Sequence, residues 1–325
     1  MRPARLLPLL LLCLAQPAPA FFFGKTSDAR AGDLLAAVRA AYESANCPAA
    51  LDFAEKFLAE KPPAGMREEA YGYMGSCYEA GGSPDKAISL YRLALGLYPD
   101  NLLFSQRLAL IYNGTGFPQL AAPLFGKVLA AKGDDIEANL GLARAYAAQG
   151  FLARAKGYYS RAVILQDFRD AAALEEYARR MLQKGDWEEA ALLAAKGAQA
   201  SPRSPVWPAL EARTLAGQGQ YYKAVDALDA ALLLGSSRAL RLEKALYLLM
   251  GGLPKRAMAA AEAELAAGAD PLASMVKGLA LYSLGRKAEA APFLADGRET
   301  GPFAAGVAAA LLQEKPRTPE EGCKK

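Results

Sequence analysis

The sequence predicts an all-α protein, an α-solenoid of about eight helix–turn–helix hairpins. The first observation is a glycine that recurs every 33 to 35 residues, and the second is an alanine five residues after each of these glycines. The third is that apolar residues between these positions follow steps of three and four, which is typical of amphipathic helices. The recurring glycines are Gly82, Gly116, Gly150, Gly185, Gly219, Gly252 and Gly285.

Residues 71–99 form the most regular of these copies. Apolar or small residues follow helical steps on both sides of a Gly-Gly-Ser-Pro break, as expected for two helices joined by a turn. Gly81 and Gly82 can end the first helix in a left-handed conformation, and Ser83 followed by Pro84 can start the second. One hairpin cannot bury both of its apolar faces, so it needs neighbouring hairpins.

These residues resemble the tetratricopeptide repeat in their types and spacing. In this copy the motif is formed by Tyr71, Met74, Gly75, Tyr78, Gly82, Ala87, Tyr91, Ala94 and Pro99. The next copies place matching residues at Leu108, Ala109, Tyr112, Ala121 and Phe125, then at Leu142, Ala143, Tyr146, Ala155, Tyr159 and Ala162. The resemblance implies a right-handed superhelix whose first helices line a concave groove. Because relatives bind extended peptides or helices there, it also implies a scaffold for a protein or peptide partner.

The first twenty residues predict a secretory signal peptide. Arg2 and Arg5 precede an apolar stretch of about half the length that spans a bilayer, and an Ala-Pro-Ala site follows at residues 18–20. Export to the periplasm or the outside of a bacterial cell is therefore expected. Residues 21–30 would form an N-terminal extension that begins with three phenylalanines, which either pack on the first helix or contact a membrane or partner.

The solenoid is predicted to cover residues 31–314 and to be followed by a disordered tail at residues 315–325. Its first hairpin is irregular, with Ala45 where the later copies have the turn glycine. Asp186 is expected to cap the second helix of the fifth copy. A last helix, about residues 303–314, is expected to cap the final hairpin.

The composition gives no support for catalysis. The chain contains no histidine, which removes imidazole acid–base catalysis and histidine-containing metal sites. No glycine-rich phosphate loop is recognisable. We therefore predict no enzyme activity, no metal and no cofactor. The formal charge of +4 includes two arginines of the signal peptide, so bulk attraction to nucleic acid is not expected. No later apolar run predicts stable membrane insertion.

Cys47 and Cys77 are predicted to form a disulfide. Cys47 falls at the start of the second helix of copy one, and Cys77 in the last turns of the first helix of copy two. Because the two hairpins are neighbours in the solenoid, these two positions are expected to lie side by side. Export to an oxidising compartment permits the bond. The alternative is two small core residues that never meet.

Three arginines are predicted to line the middle of the groove. Arg144, Arg179 and Arg213 each follow a helix-crossing position by one residue, as Ser76 does in copy two. Arginine forks suit carboxylates and phosphates, so an acidic partner segment is one reading. Local pairing is the other reading, because Glu175 lies four residues before Arg179. Arg144 and Arg213 have no acid at that spacing.

The C-terminal part of the groove is expected to be apolar. Its residues are Leu246, Leu249, Met275, Leu279 and Tyr282. If exposed, they would bind an apolar partner segment or a second copy of the chain, which would make a homo-oligomer. The alternative is that a capping helix or another subunit covers them. The sequence thus predicts an exported scaffold that binds a protein segment, with a self-assembling envelope protein as the alternative.

Overall fold

A computed structural model describes residues 27–296, and these residues form sixteen α-helices and no strand. In the first half of the chain the helices are α1 (Ser27–Glu43), α2 (Cys47–Ala59), α3 (Ala64–Ala80), α4 (Pro84–Leu97), α5 (Leu102–Gly114), α6 (Pro118–Ala131), α7 (Ile136–Ala148) and α8 (Leu152–Leu165). The others are α9 (Ala171–Lys184), α10 (Trp187–Ala200), α11 (Val206–Gly217), α12 (Tyr221–Leu234), α13 (Arg238–Met250), α14 (Pro254–Ala267), α15 (Pro271–Ser283) and α16 (Lys287–Asp296).

The order of helices confirms the predicted all-α helical repeat solenoid. The sixteen described helices follow one another as eight successive pairs. The predicted signal peptide, the phenylalanines at residues 21–23, the capping helix at residues 303–314 and the tail lie outside the described residues. Helix α1 begins at Ser27, a few residues before the expected start of the solenoid at residue 31.

The chain divides into two compact units, an N-terminal unit that ends at Phe104 and a second unit that begins at Ser105. In the N-terminal unit α1 packs on α2, α2 on α3 and α3 on α4, and α1 also contacts α3. In the second unit each helix from α6 to α15 packs on the next one along the chain. Within that unit α9 contacts α11 and α13 contacts α15, so first helices of neighbouring pairs also meet.

The turns confirm the role of the recurring glycine. All seven turn glycines have φ between 63° and 83°, the left-handed region in which a side chain is unfavourable. Ala45 occupies the same position in the first pair and has φ 57°. This residue therefore keeps the turn geometry of its glycine counterparts while carrying a methyl group.

Tight contacts between a glycine and an aromatic ring join neighbouring helices, both within a pair and between pairs. A Cβ atom on Gly75 of α3 would lie 2.3 Å from the ring of Tyr91 in α4, so only glycine fits there. Between pairs, a Cβ atom on Gly141 of α7 would lie 2.2 Å from the ring of Phe125 in α6. The aromatic side chains predicted as packing residues are core residues, since Tyr91, Phe125 and Tyr159 are at most 1% exposed.

Helices α4 and α10 begin where the sequence predicts, but the expected side-chain cap of α10 by Asp186 is absent. Ser83 and Asp186 precede α4 and α10, but neither side chain accepts a hydrogen bond from its helix. The carboxylate of Asp186 instead accepts from Lys156 at 3.0 Å and Lys184 at 3.1 Å. In the second unit, side chains cap the N-termini of several helices that come first in their pair. Examples are α7, capped by Asp135, and α9, capped by Asp170.

Candidate partner-binding site

The side chain of Arg144 on α7 is paired within the protein. Its guanidinium donates to both carboxylate oxygens of Glu176 on α9, with distances from 2.8 to 3.1 Å. The hydroxyl of Tyr159 donates to the same carboxylate at 2.7 Å. Burial opposes ionisation of Glu176, but the hydrogen bonds from Arg144 and Tyr159 outweigh it, and the pKa of Glu176 is lowered. Arg144 therefore carries a permanently ionised partner at neutral pH.

Arg213 on α11 repeats this arrangement. Its guanidinium donates to the two carboxylate oxygens of Glu243 on α13, both at 2.8 Å. Tyr247 donates to Glu243 at 2.8 Å, as Tyr159 does to Glu176. The hydrogen bond with Glu243 raises the pKa of Arg213. The two predicted groove arginines that lack an acid four residues away thus receive one from the neighbouring first helix.

Arg179 takes the local partner that its spacing predicts. It donates to Glu175, one turn earlier on α9, at 2.7 and 2.9 Å. The charge of all three arginines is consequently balanced by carboxylates of the protein itself. Their role in partner binding stays a prediction, and the local-pairing reading describes the geometry that is observed.

The predicted apolar groove residues are largely core residues. Leu246, Leu249, Met275 and Leu279 are only 1–3% exposed and belong to one cluster with the apolar faces of α11 to α15. The expectation of an exposed patch at these four positions is therefore wrong, because neighbouring helices cover them. Tyr282 is half-buried, and the ammonium of Lys287 lies 5.2 Å from its ring centroid.

A disulfide joins Cys47 at the start of α2 to Cys77 near the end of α3. Their Cα atoms lie 5.2 Å apart, within the range that a disulfide spans. Cys77 is buried and packs in a small cluster with Ala41 and Ala50. The bond thus ties the first hairpin to the second within the N-terminal unit.

The N-terminal unit contains an open cleft of about 490 Å³ that the sequence reading did not identify. The lining residues are Tyr42, Gly65, Glu68, Glu69, Gly72, Tyr73, Ser76, Asn101, Leu103 and Phe104. They come from α1, α3, the first turn of α5 and the residue directly before α5. One of them, Ser76, is at a predicted inward position. A useful signal in the sequence is Gly72, which lies inside α3 three residues before the packed Gly75 and is not at a turn between helices.

Two glutamates carry the charge of this cleft. Glu69 accepts hydrogen bonds from Arg39 on α1, with the Nε atom at 3.2 Å, and from the hydroxyl of Tyr73 at 3.2 Å. Glu68 accepts from the amide of Asn101 at 2.7 Å. Tyr42 and Tyr73 stand beside them with ring centroids 5.0 Å apart and ring planes tilted by 49°.

Other kinds of site are not apparent in residues 27–296. No group of three or more cysteine, aspartate and glutamate side chains in this range is arranged to hold a metal ion. Of the described helices, none combines the length and apolarity needed to cross a membrane.

Comparisons with known proteins agree with the helical architecture. The family model described as "Tetratricopeptide repeat" matches residues 35–101 and 107–170. A search of curated proteins finds no match. A tetratricopeptide repeat protein from Parabacteroides merdae ATCC 43184 is similar in structure, with a TM-score of 0.54 and 13% identity over 82% of this chain and 98% of that one. MamA from Desulfovibrio magneticus RS-1, residues 41 to the end, has a TM-score of 0.50 and 19% identity over 53% of this chain and 96% of that one.

The paired helices and their left-handed turns define an all-α helical repeat solenoid. Two stretches of this solenoid, residues 35–101 and 107–170, match the tetratricopeptide repeat family model. Solenoids of this family serve in general as scaffolds for protein–protein interaction. At these identities the similar structures support the fold alone.

Proposed function

We propose that the chain is a non-enzymatic scaffold that binds an extended segment of a partner protein in the cleft of its N-terminal unit. The observation that carries this proposal is the cleft itself, which lies on the first helices and is open to solvent. Its mixture of aromatic, apolar and a few polar groups is the composition that binding sites in proteins share. The first helices are also the surface on which the family resemblance predicts a partner.

The floor of the cleft favours close approach by another main chain. A Cβ atom built on Gly72 would meet only the ring of Phe104, at 3.9 Å, and one built on Gly65 would meet nothing within 4 Å. The backbone of α3 is thus accessible where a side chain would otherwise stand. Leu103, which is 57% exposed, supplies an apolar wall.

The test is to fill the cleft without disturbing the fold. In Gly72→Leu the added side chain extends into the cleft, whereas Gly72→Ala adds only a methyl group to the same helix. We expect affinity capture from native cells to recover a partner with the wild type and Gly72→Ala and to lose it with Gly72→Leu. Circular dichroism establishes that both variants fold. Equal capture by all three proteins would refute binding in the cleft.

Export into an oxidising compartment is part of the proposal. Two independent features support it: the signal-like first twenty residues, and the disulfide between Cys47 and Cys77, a bond that persists mainly outside the cytosol. In the native cells we expect the chain in the envelope or medium, with Phe21 as its first residue. Cell fractionation followed by N-terminal sequencing measures both. A cytosolic chain that keeps residue 1 would contradict export.

Self-assembly is the second candidate, and it needs a surface other than the one first expected. Leu246 and its neighbours are buried, but Leu233 and Tyr222 on α12 are 89% and 62% exposed. Light scattering over a concentration series tests this candidate. A dimer that persists in Gly72→Leu and disappears in Leu233→Glu would support it, and a monomer at all concentrations would exclude it.

A further inference from the structure

We infer that the cleft of the N-terminal unit selects a partner segment that carries a lysine or arginine side chain. This inference rests on the proposed function and names the chemistry of the partner. It is opposite in sign to the acidic partner that the groove arginines suggest, because those arginines are already paired and the cleft is acidic.

The first step is the balance of charge in the cleft. Its lining includes the carboxylates of Glu68 and Glu69 and no basic side chain. Arg39 neutralises Glu69, but the hydrogen bond from Asn101 to Glu68 comes from an uncharged amide, so that bond leaves the negative charge of Glu68 in place. A carboxylate has about four lone-pair positions, and Glu68 retains capacity to accept from an ammonium or a guanidinium.

The second step is the position of the aromatic rings. The face of a tyrosine ring carries negative potential and attracts a cation that lies within about 6 Å of the ring centroid. Tyr42 and Tyr73 form an adjacent, tilted pair in the same lining as Glu68, and Tyr42 is 36% exposed. A carboxylate in the same place would be repelled both by these ring faces and by the glutamates.

The third step is the fit of the rest of the side chain. Lysine and arginine have apolar stems that pack on apolar surface, while the charged group at the end of the side chain stays in contact with water or polar groups. Leu103 and the main chain at Gly72 offer such a surface in the same cleft. The ligand chemistry that matches all three features is thus a basic side chain on an extended segment.

The experiment selects ligands from a random dodecapeptide display library on the immobilised, purified full chain. We expect the recovered peptides to share a lysine or arginine at one position. A labelled peptide from this pool is then measured by fluorescence anisotropy. Replacing its basic residue with norleucine is expected to weaken binding about 5-fold or more, because the ion pair and the cation–π contact are lost together. Raising the salt concentration is expected to weaken binding further.

Matched variants assign the effect to the cleft. Tyr42→Leu removes the ring and is expected to weaken binding by roughly 2- to 5-fold, whereas Tyr42→Phe keeps the ring and binds as the wild type does. Glu68→Gln keeps an acceptor for Asn101 but removes the charge, and a loss of roughly 2- to 5-fold is expected. Glu55→Gln removes an exposed charge on α2 and serves as the control with no expected change.

The outcomes separate this inference from the proposed function. Peptides that depend on an open cleft, as shown by loss of binding in Gly72→Leu, but that carry acidic or uncharged residues would overturn the basic-segment inference and leave the proposed function standing. Peptides that bind Gly72→Leu as well as the wild type, or recovery of no peptide, would overturn both.

Discussion

The first helices of the pairs have different surfaces in the two units, although both units are built from the same repeat. In the N-terminal unit, glycines on α3 leave an open cleft with two carboxylates and two tyrosines. In the second unit, the corresponding helices carry arginines at the inward positions, and each arginine is occupied by a glutamate of the same or the next first helix. The first surface leaves a carboxylate without a basic partner in the cleft lining, whereas the second pairs its arginines with carboxylates of the protein.

The comparison shows that position in a repeat does not by itself decide function. Arg39 in the first pair also binds a glutamate of the next first helix, Glu69. Here the pair borders open space because Gly72 follows it, whereas Glu176 and Glu243 are held by buried tyrosines. The neighbours of an ion pair therefore decide whether the surface stays accessible. Four sets of substitutions test this contrast, from the largest expected effect to the smallest.

The largest effect is expected from the disulfide, which occurs in the N-terminal unit. Cys77→Ala removes a bond between residues 30 positions apart. Loop-closure entropy of the unfolded chain predicts a loss of about 3–4 kcal/mol in the free energy of unfolding of this unit. Urea denaturation with and without reductant measures it, and Cys323→Ala is the control. An unfolding midpoint equal to that of the oxidised wild type would contradict the prediction.

The second test compares an open glycine with a closed one. Gly141→Ala in the second unit forces a methyl group against the buried ring of Phe125 and is expected to cost about 1–3 kcal/mol. Gly72→Ala in the N-terminal unit meets no close atom and is expected to stabilise its helix by up to about 1 kcal/mol. Thermal unfolding of both variants shows whether each substitution lowers or raises the stability of the protein. If the two effects had the same sign, the distinction between closed and open surfaces would fail.

The third test compares two arginine pairs within the second unit. The pair of Arg213 and Glu243 has side chains 32% and 17% exposed, whereas the pair of Arg179 and Glu175 is more open, at 51% and 32%. Double-mutant cycles to alanine are expected to give a coupling of about 1 kcal/mol for the first pair and about 0.3–0.5 kcal/mol for the second. Equal couplings would show that burial does not distinguish the pairs.

The smallest effect is expected at the first turn. Ala45→Gly removes the strain of a methyl group in the left-handed region and is expected to stabilise the N-terminal unit by about 0.5 kcal/mol. The matched change in the second unit is Gly150→Ala, which places the same strain in a glycine turn and is expected to cost about 1 kcal/mol. Urea midpoints measure both, and a destabilised Ala45→Gly variant would contradict the explanation.

Much of the fold follows from local sequence. The turn glycines have the predicted left-handed conformation, and Ala45 shares it, because a short connection between two helices restricts the backbone at one residue. Gly75 lies against the ring of Tyr91 in the same pair, a contact that the sequence analysis did not specify. The predicted cap at Asp186 makes no side-chain bond to its own helix, because lysines from α8 and α9 pair with its carboxylate.

The candidate site was less predictable, for two reasons. Arg144 and Glu176 are 32 positions apart, and Arg213 and Glu243 are 30 apart, so no rule about spacing within one helix finds these pairs. Leu246 and Leu249 were placed on an accessible face, but α13 contacts α12, α14 and α15 and buries residues on several sides. Which face of a helix stays exposed depends on the number of its neighbours.

The sequence by itself determined the period, the helical pairs and the turn positions, because these depend on contacts within one repeat and between adjacent ones. It also pointed to the two cysteines that the structure joins. Only the tertiary structure decided which charges are paired and where a cleft remains open, because both depend on side chains from separate repeats meeting at one place. The proposed partner-binding surface therefore depends on packing between repeats, whereas the repeat itself depends on the local sequence.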